Sequence, residues 1–358
     1  MILDVVKVLL PAVLGFLVGI GITPTVTDYL YKNKMWKKKV KSVTVDGREA
    51  TVFMSLHKDK EVNTPRMGGA IIWLSALITA FVVWFLAKIV HIDAFTTLEF
   101  INRNQTWIPF STLILGALVG LVDDLMEIKG AADQKAGGLS AKKRLLFVGL
   151  VAIAIGFWFY TKLEISAIFV PFLGYFDLGI FFIPFFMLLM LFMYSGGVID
   201  GVDGLAGGVF TVAFGAYAII AFSNHQIDIA AFCALIVGST LAFLWFNIPP
   251  ARFYMSETGS MALTITLTTI ALMTDKLGDG AGLLVLPIIA LPLVLTVLSV
   301  MIQLASKKLR NGKKIFHSTP IHHHFEALGW PSYKVTMRYW IFGVICATLG
   351  VILSIIIR

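Results

Sequence analysis

Long apolar runs, each ended by a short polar segment, repeat along the whole chain. Ten of them approach or exceed the length of a bilayer crossing, which takes about 20 mostly apolar residues. They lie near 3–24, 68–90, 109–127, 144–161, 179–199, 206–223, 229–248, 260–275, 282–306 and 338–357. The first lacks a small-residue cleavage site and is read as a span, not a signal peptide. Between spans four and five, EISAIFVPFLGYFDLG carries short β-like runs around Pro171 and Gly174 and predicts a hairpin outside the membrane. Gly15-x-x-x-Gly19 and Gly116-x-x-x-Gly120 predict close helix packing. The pattern therefore predicts an all-α polytopic membrane protein, with 1–358 forming a single integral membrane domain.

Composition agrees, because 58% of the 358 residues are hydrophobic and only 14% charged. A soluble protein of this size has no way to hide that much apolar surface. Charge then sets the orientation. The loops 31–67, 128–143, 200–205, 249–259 and 307–337, with flanking Arg144 and Arg338, hold 23 of the 29 Lys and Arg. The other six are Lys7, Lys88, Arg103, Lys162, Lys276 and Arg358. The positive-inside rule puts the first set in the cytoplasm and both termini outside. The net charge of +8 thus reflects topology, and no nucleic-acid partner is expected. Cys233 and Cys346 lie in predicted spans, and no disulfide is expected.

The chemistry gathers on that same cytoplasmic side. Asp123 and Asp124 end span three, Asp200 and Asp203 lie in DGVDGLAGG, and Glu257 lies in YMSETGS. Carboxylates beside lipid-length helices are costly and by default mark a functional site. The adjacent pair Asp123-Asp124 needs a cation, or one of them must keep its proton. Magnesium suits it, since it binds through one or two carboxylates plus substrate phosphates. Asp200 and Asp203 would share a face if the start of span six is helical. A helix N-cap with a glycine-rich turn is the competing reading. An EF-hand fails, because Thr211 stands where a Glu is needed. Arg252 suits a phosphate, Tyr254 a stacked base and Glu257 a metal, although Asn247 and its neighbours are also ordinary loop residues.

The tract His322-His323-His324 first suggests zinc. In an extended segment His322 and His324 share a side, and two ligands are too few for a closed zinc site. Phosphate or nucleotide hydrogen bonding is the alternative, and His317 reads as structural. Lys142, Lys143 and Arg144 fit either topology anchors or attraction of an anionic lipid head or diphosphate.

In order, TPRMGG (64–69), DD (123–124), GLSAKKR (138–144), DGVDGLAGG (200–208), LWFN (244–247), YMSETGS (254–260) and PIHHHFE (320–326) resemble the polyprenyl-phosphate N-acetylhexosamine-1-phosphate transferases. The resemblance covers nearly the whole chain. The triple His followed by Glu separates the branch that uses UDP-MurNAc-pentapeptide from relatives acting on UDP-GlcNAc. It implies transfer of the phospho-sugar to undecaprenyl phosphate, giving lipid I and UMP. It also implies magnesium, a homodimer among membrane lipids, and a site on the cytoplasmic face of the bacterial inner membrane.

By resemblance, Asp123 activates the lipid phosphate or acts as a nucleophile, with Asp124 its partner near metal and diphosphate. Asp200 and Asp203 fall near nucleoside and metal, so Asp124, Asp200 and Glu257 are the expected metal ligands. Asn247, Tyr254 and Gln303 fall at nucleotide positions. His322 and His323 fall near phosphate and sugar, with His324 in support, and Lys142 and Arg144 near the diphosphate. The chain departs from the branch at several places. Glu257 replaces an Asp, Gly197 an Asn, Arg66 a Thr, Glu127 a Lys and Tyr254 a Phe. Tyr254 keeps the ability to stack, and Arg66 is expected to compensate for the lost Lys. Two other readings compete. One is a related GlcNAc-1-phosphate transferase. The other is an ion-coupled transporter, which would place its acids near the midplane with repeat symmetry.

Overall fold

A computed structural model describes residues 2–37, 63–90, 93–102, 105–129, 138–170, 174–276 and 281–357. The loop stretches 38–62 and 130–137, and Pro171 in the hairpin, lie outside the described residues. The long helices are α1 (Ile2–Lys32), α2 (Ala70–Lys88), α4 (Trp107–Lys129), α5 (Ala141–Lys162), α6 (Phe182–Ser195), α7 (Leu205–Ser223), α8 (Ile227–Asn247), α9 (Ser256–Lys276), α11 (Leu291–Leu309) and α13 (Ser332–Ile356). Short helices α3 (Asp93–Leu98), α10 (Gly282–Ile289) and α12 (Ile321–Ala327) lie between them. The predicted hairpin is present, with β1 (Ala167–Val170) antiparallel to β2 (Gly174–Asp177) and Ala167 opposite Asp177. The chain is a multi-pass membrane protein.

Nine helices among the described residues are long and apolar enough to cross a membrane, against ten expected spans. The exception is α9. It is 21 residues long but rich in threonine, and Ser260–Asp275 is buried throughout. It packs against α4, α6, α7 and α10. Its hydroxyls bond back into the helix, as Thr264 to the Ser260 carbonyl (2.8 Å) and Thr268 to the Thr264 carbonyl (2.9 Å). A helix jacketed by other helices has no need of a lipid-compatible surface, so its hydropathy falls below that of a lipid-facing span.

Other boundaries shift as well. The ninth expected span breaks at Ala290 into α10 and α11, where Pro292 starts the second piece. Pro287 and Pro292 remove backbone donors on both sides of that break. Helix α1 continues to Lys32, past the expected end near 24, so the predicted loop from 31 begins inside a helix.

The glycine pairs perform the packing expected of them. A Cβ on Gly15 would lie 2.7 Å from Leu235 Cδ1, and one on Gly19 2.5 Å from Ala242 Cβ, which joins α1 to α8. On α4, a Cβ at Gly116 would meet Ala262 Cα at 2.8 Å, and one at Gly120 would meet the Glu257 carbonyl oxygen at 2.1 Å. The ends of α4 and α9 that carry the acids are therefore in backbone contact. Gly120→Ala should cost about 1–3 kcal/mol of stability through overpacking and should displace Glu257. Gly149→Ala, whose nearest neighbour would be Met187 Sδ at 4.0 Å, should be neutral. Thermal unfolding in detergent checks the pair.

Candidate active site

The N-terminus of α9 lies inside the protein, and its first N–H groups have no carbonyl within the helix to bond. Two acids from other elements meet them. Asp124 Oδ2 accepts from the Thr258 N–H (2.9 Å) and from Thr258 Oγ1 (2.6 Å). Asp200 Oδ2 accepts from the Ser256 N–H (2.7 Å). Negative charge at a helix N-terminus is stabilising, which offsets part of the cost of holding Asp124 at 0% exposure. Desolvation pushes the Asp200 carboxyl up to about 6, although the Ser256 hydrogen bond and the Arg66 charge pull it down.

Two arginines balance the acids. Arg144, in the first turn of α5, bonds Glu257 and stands 3.5 Å from Asp123 Oδ2. Asp123 also accepts the Leu139 N–H, and Gly138 passes it at φ +73° with no room for a side chain. Arg66 bonds Glu127 and stands 3.8 Å from Asp124 Oδ1. Lys37 holds the other oxygen of Glu127 at 3.1 Å. Arg66 thus pairs with Glu127, the residue that stands where a Lys was expected.

The TPRMGG segment is a bracket for the loop that carries Tyr254 and Glu257. Pro65 O accepts from the Tyr254 N–H, Gly68 N donates to the Tyr254 carbonyl and Gly69 N to that of Met255 (2.8, 2.8 and 3.1 Å). Only glycine fits there, since a Cβ on Gly69 would lie 2.4 Å from Gly259 Cα.

Asp200 and Asp203 do not share a helical face. Asp200 ends a 3-10 turn (Gly196–Ile199), and α7 begins only at Leu205 after Gly204 in the left-handed region. Asp203 turns to the Ala251 N–H (3.2 Å), while Asp200 turns to α9. Asn247 clamps this turn, accepting from Gly204 N (3.0 Å) and donating to the Phe253 carbonyl (2.8 Å). Gln303 similarly latches the segment before α12 through Ile315 N, Phe316 N and the Phe316 carbonyl. Both amides, expected at nucleotide positions, are spent on the protein's own backbone. Gly197 backs onto Ser260 at ordinary contact distance (3.4 Å), so packing does not forbid a side chain there.

The His tract is helical, not extended, and lies on α12. Successive side chains on a helix diverge by about 100°, so His322 and His324 do not share a side. His322 and His323 are buried and face the Asp200–Asp203 turn: a Cβ on Gly201 would lie 2.7 Å from His322 Nε2 and 2.8 Å from His323 Nε2. His323 Nδ1 is 2.7 Å from Glu326 Oε2, and Ser332 Oγ donates to Glu326 Oε1 (2.7 Å). That carboxylate orients the ring with Nε2 toward the turn. His324 instead stacks on His317 (5.3 Å between centroids) and accepts its N–H. Desolvation and His317 hold His324 below the usual imidazole range. Lys142 is exposed on α5; of the strip 142–144, Arg144 is the residue that turns to the acids.

Thr258 and Lys37 are partners that sequence reasoning missed, and Glu127 and Glu326 were noted there without these partners. A carboxylate one turn past Asp124, and one three residues past a His on a helix, are the signals that point to two of them.

Among the described residues, no group of three His, Cys, Asp or Glu side chains forms a cage for an ion. The chemistry still fits a magnesium ion, which needs only one or two carboxylates when substrate phosphates complete its shell. Among the described residues, Asp124 Oδ1 is buried and accepts no hydrogen bond. It is the atom best placed to serve as such a ligand.

Residues 106–275 match the family model described as glycosyl transferase family 4. The chain is 34% identical over 349 residues to the phospho-N-acetylmuramoyl-pentapeptide-transferase of Geobacillus thermodenitrificans, covering 95% of this chain and 96% of that protein. It is 32% identical over 360 residues to the protein of the same name from Bacillus subtilis, covering 97% and 98%. The likeness extends over almost the full length of each. The chain belongs to the phospho-N-acetylmuramoyl-pentapeptide-transferase family.

Proposed function

We propose that the chain transfers phospho-MurNAc-pentapeptide from UDP-MurNAc-pentapeptide to undecaprenyl phosphate, giving lipid I and UMP. One observation carries this reading. Asp123, Asp124, Asp200 and Glu257 meet two arginines and the His322–His323 face at one end of the bundle. The carrier phosphate comes from the membrane and the nucleotide from water, so their reaction needs a site at that boundary. The loop charge asymmetry supports a cytoplasmic position for it.

Phosphoryl-group transfer relies on positioning and charge neutralisation more than on covalent chemistry. A carrier-phosphate oxygen attacks the sugar-linked phosphorus, the bond from that phosphorus to the bridging oxygen breaks, and UMP leaves. Asp123 accepts the proton of the carrier phosphate. Arg144 and Arg66 carry the positive charge that meets the diphosphate. His323, oriented by Glu326, and His322 contact phosphate and sugar, while Tyr254 stacks on the base. Asp124, with Asp200 or Glu257 beside it, would hold a magnesium ion, which would supply neutralisation of the diphosphate charge. Asn247 and Gln303 act by holding the walls of the pocket.

Membranes carrying the protein should release UMP from UDP-MurNAc-pentapeptide when given undecaprenyl phosphate and magnesium. Turnover with UDP-GlcNAc instead would replace this donor assignment by the GlcNAc-1-phosphate reading. Asp123→Asn should lower turnover by about 10²–10⁴-fold, the range of a lost general base; near-normal turnover removes Asp123 from the chemistry. Glu257→Asp should be tolerated or change the preferred metal, and Glu257→Ala should not be. Harmless loss of the whole side chain would show that Glu257 holds neither metal nor Arg144 in a way that matters.

A further inference from the structure

Three helix ends meet beside Asp123. Helix α5 carries Arg144 in its first turn, α9 carries Glu257 in its first turn, and α6 carries Tyr194 in its last. Helix α6 packs against both α5 and α9. Tyr194 is buried, and a buried tyrosine hydroxyl normally finds a hydrogen-bond partner. Here the partner is the Arg144 side chain, and Glu257 and Asp123 are charged neighbours of the same phenol. The chain after Tyr194 enters the 3-10 turn that ends at Asp200, so the ring sits on the segment that places that acid.

Glu257 Oε1 and Asp123 Oδ2 both meet one nitrogen of Arg144, Nη1. A guanidinium carries five N–H groups in a rigid planar fork. Two contacts on one nitrogen leave such a fork able to pivot about it. A contact from a third helix fixes its direction. The phenol supplies that contact without charge, whereas another carboxylate would cancel more of the positive charge that a substrate needs. We infer that Tyr194 is a positioning residue for Arg144: its hydroxyl sets the direction in which the guanidinium meets an anionic substrate. The inference rests on the proposed reading that Arg144 meets the diphosphate of a nucleotide-linked donor.

The full chain in detergent, with magnesium, is compared as wild type, Tyr194→Phe, Arg144→Gln and the double variant. Thermal unfolding checks folding. Calorimetry follows the binding of UDP, and UMP release gives KM and kcat for UDP-MurNAc-pentapeptide. Tyr194→Phe keeps the ring and removes only the hydroxyl. It should weaken UDP binding and raise the donor KM about threefold or more, the size of a close-contact coupling. Its kcat should stay within about twofold, as when binding shared by ground and transition states is lost. In the Arg144→Gln background the same substitution should change the donor KM by less than about twofold, because the group it positions is gone. A hydroxyl that served the fold alone would lower the unfolding temperature and leave this coupling at zero.

Unchanged UDP affinity and donor KM in Tyr194→Phe overturn the inference. So does a loss confined to kcat, or an equal rise in KM in both backgrounds, which would place the effect of the hydroxyl outside Arg144. If Tyr194→Phe does not fold, Tyr194→Gln decides in the same comparison: its effect on donor KM should be smaller in the Arg144→Gln background, and an equal effect overturns the inference. A wild-type chain that binds no UDP overturns the reading of the site as a nucleotide-diphosphate site, and the inference with it.

Discussion

A helix that starts inside a membrane protein brings backbone N–H groups into a region with little water to bond them. In this protein α9 does so, and Asp124 and Asp200 supply the missing acceptors at Thr258 and Ser256. Much of the rest follows from that need. For Asp124 to reach Thr258, α4 and α9 must touch backbone to backbone, which is why Gly116 and Gly120 face Ala262 and Glu257. For Asp200 to reach Ser256, the turn after α6 must fold back over the start of α9, which Asn247 secures from the other side. The acids are at once caps of a buried helix and the candidate catalytic groups.

The electrostatics have the same economy. The acids gathered in and around the site would repel one another and an anionic substrate. Arg144 bridges Glu257 and Asp123, and Arg66 bridges Glu127 and the neighbourhood of Asp124. Each arginine therefore serves two carboxylates, and each comes from a segment that also shapes the site: Arg66 from the bracket around Tyr254, Arg144 from the helix that follows Gly138. Glu326 gives His323 a comparable second partner and fixes which ring nitrogen faces the Asp200 turn.

Much of this was legible in the chain. The spans, the external hairpin and the co-location of acids, glycines and histidines on one side follow from hydropathy and loop charge. The helices, the hairpin and the gathering of acids and histidines at one end are found in the fold, because lipid exposure is a property of each segment by itself. The points where the fold differs from the simple pattern have one kind of cause. Helix α9 is low in hydropathy because other helices, not lipid, surround it. Asp200 and Asp203 part company because a left-handed Gly204 delays α7. His322 and His324 diverge because their short segment coils. Asn247 and Gln303 are consumed by backbone groups that are distant or unpredictable in sequence.

By itself, the sequence determined that this is a many-span membrane protein whose costly acids sit at one face, since those features depend on composition within a segment and on its flanking charge. Tertiary structure alone decided which acid meets which cation. Arg66 and Glu127 are 61 residues apart, and Arg144 and Glu257 are 113 apart. Ion pairing and helix capping depend on distances of a few ångströms between segments. No periodicity along one chain encodes those distances before the bundle has closed.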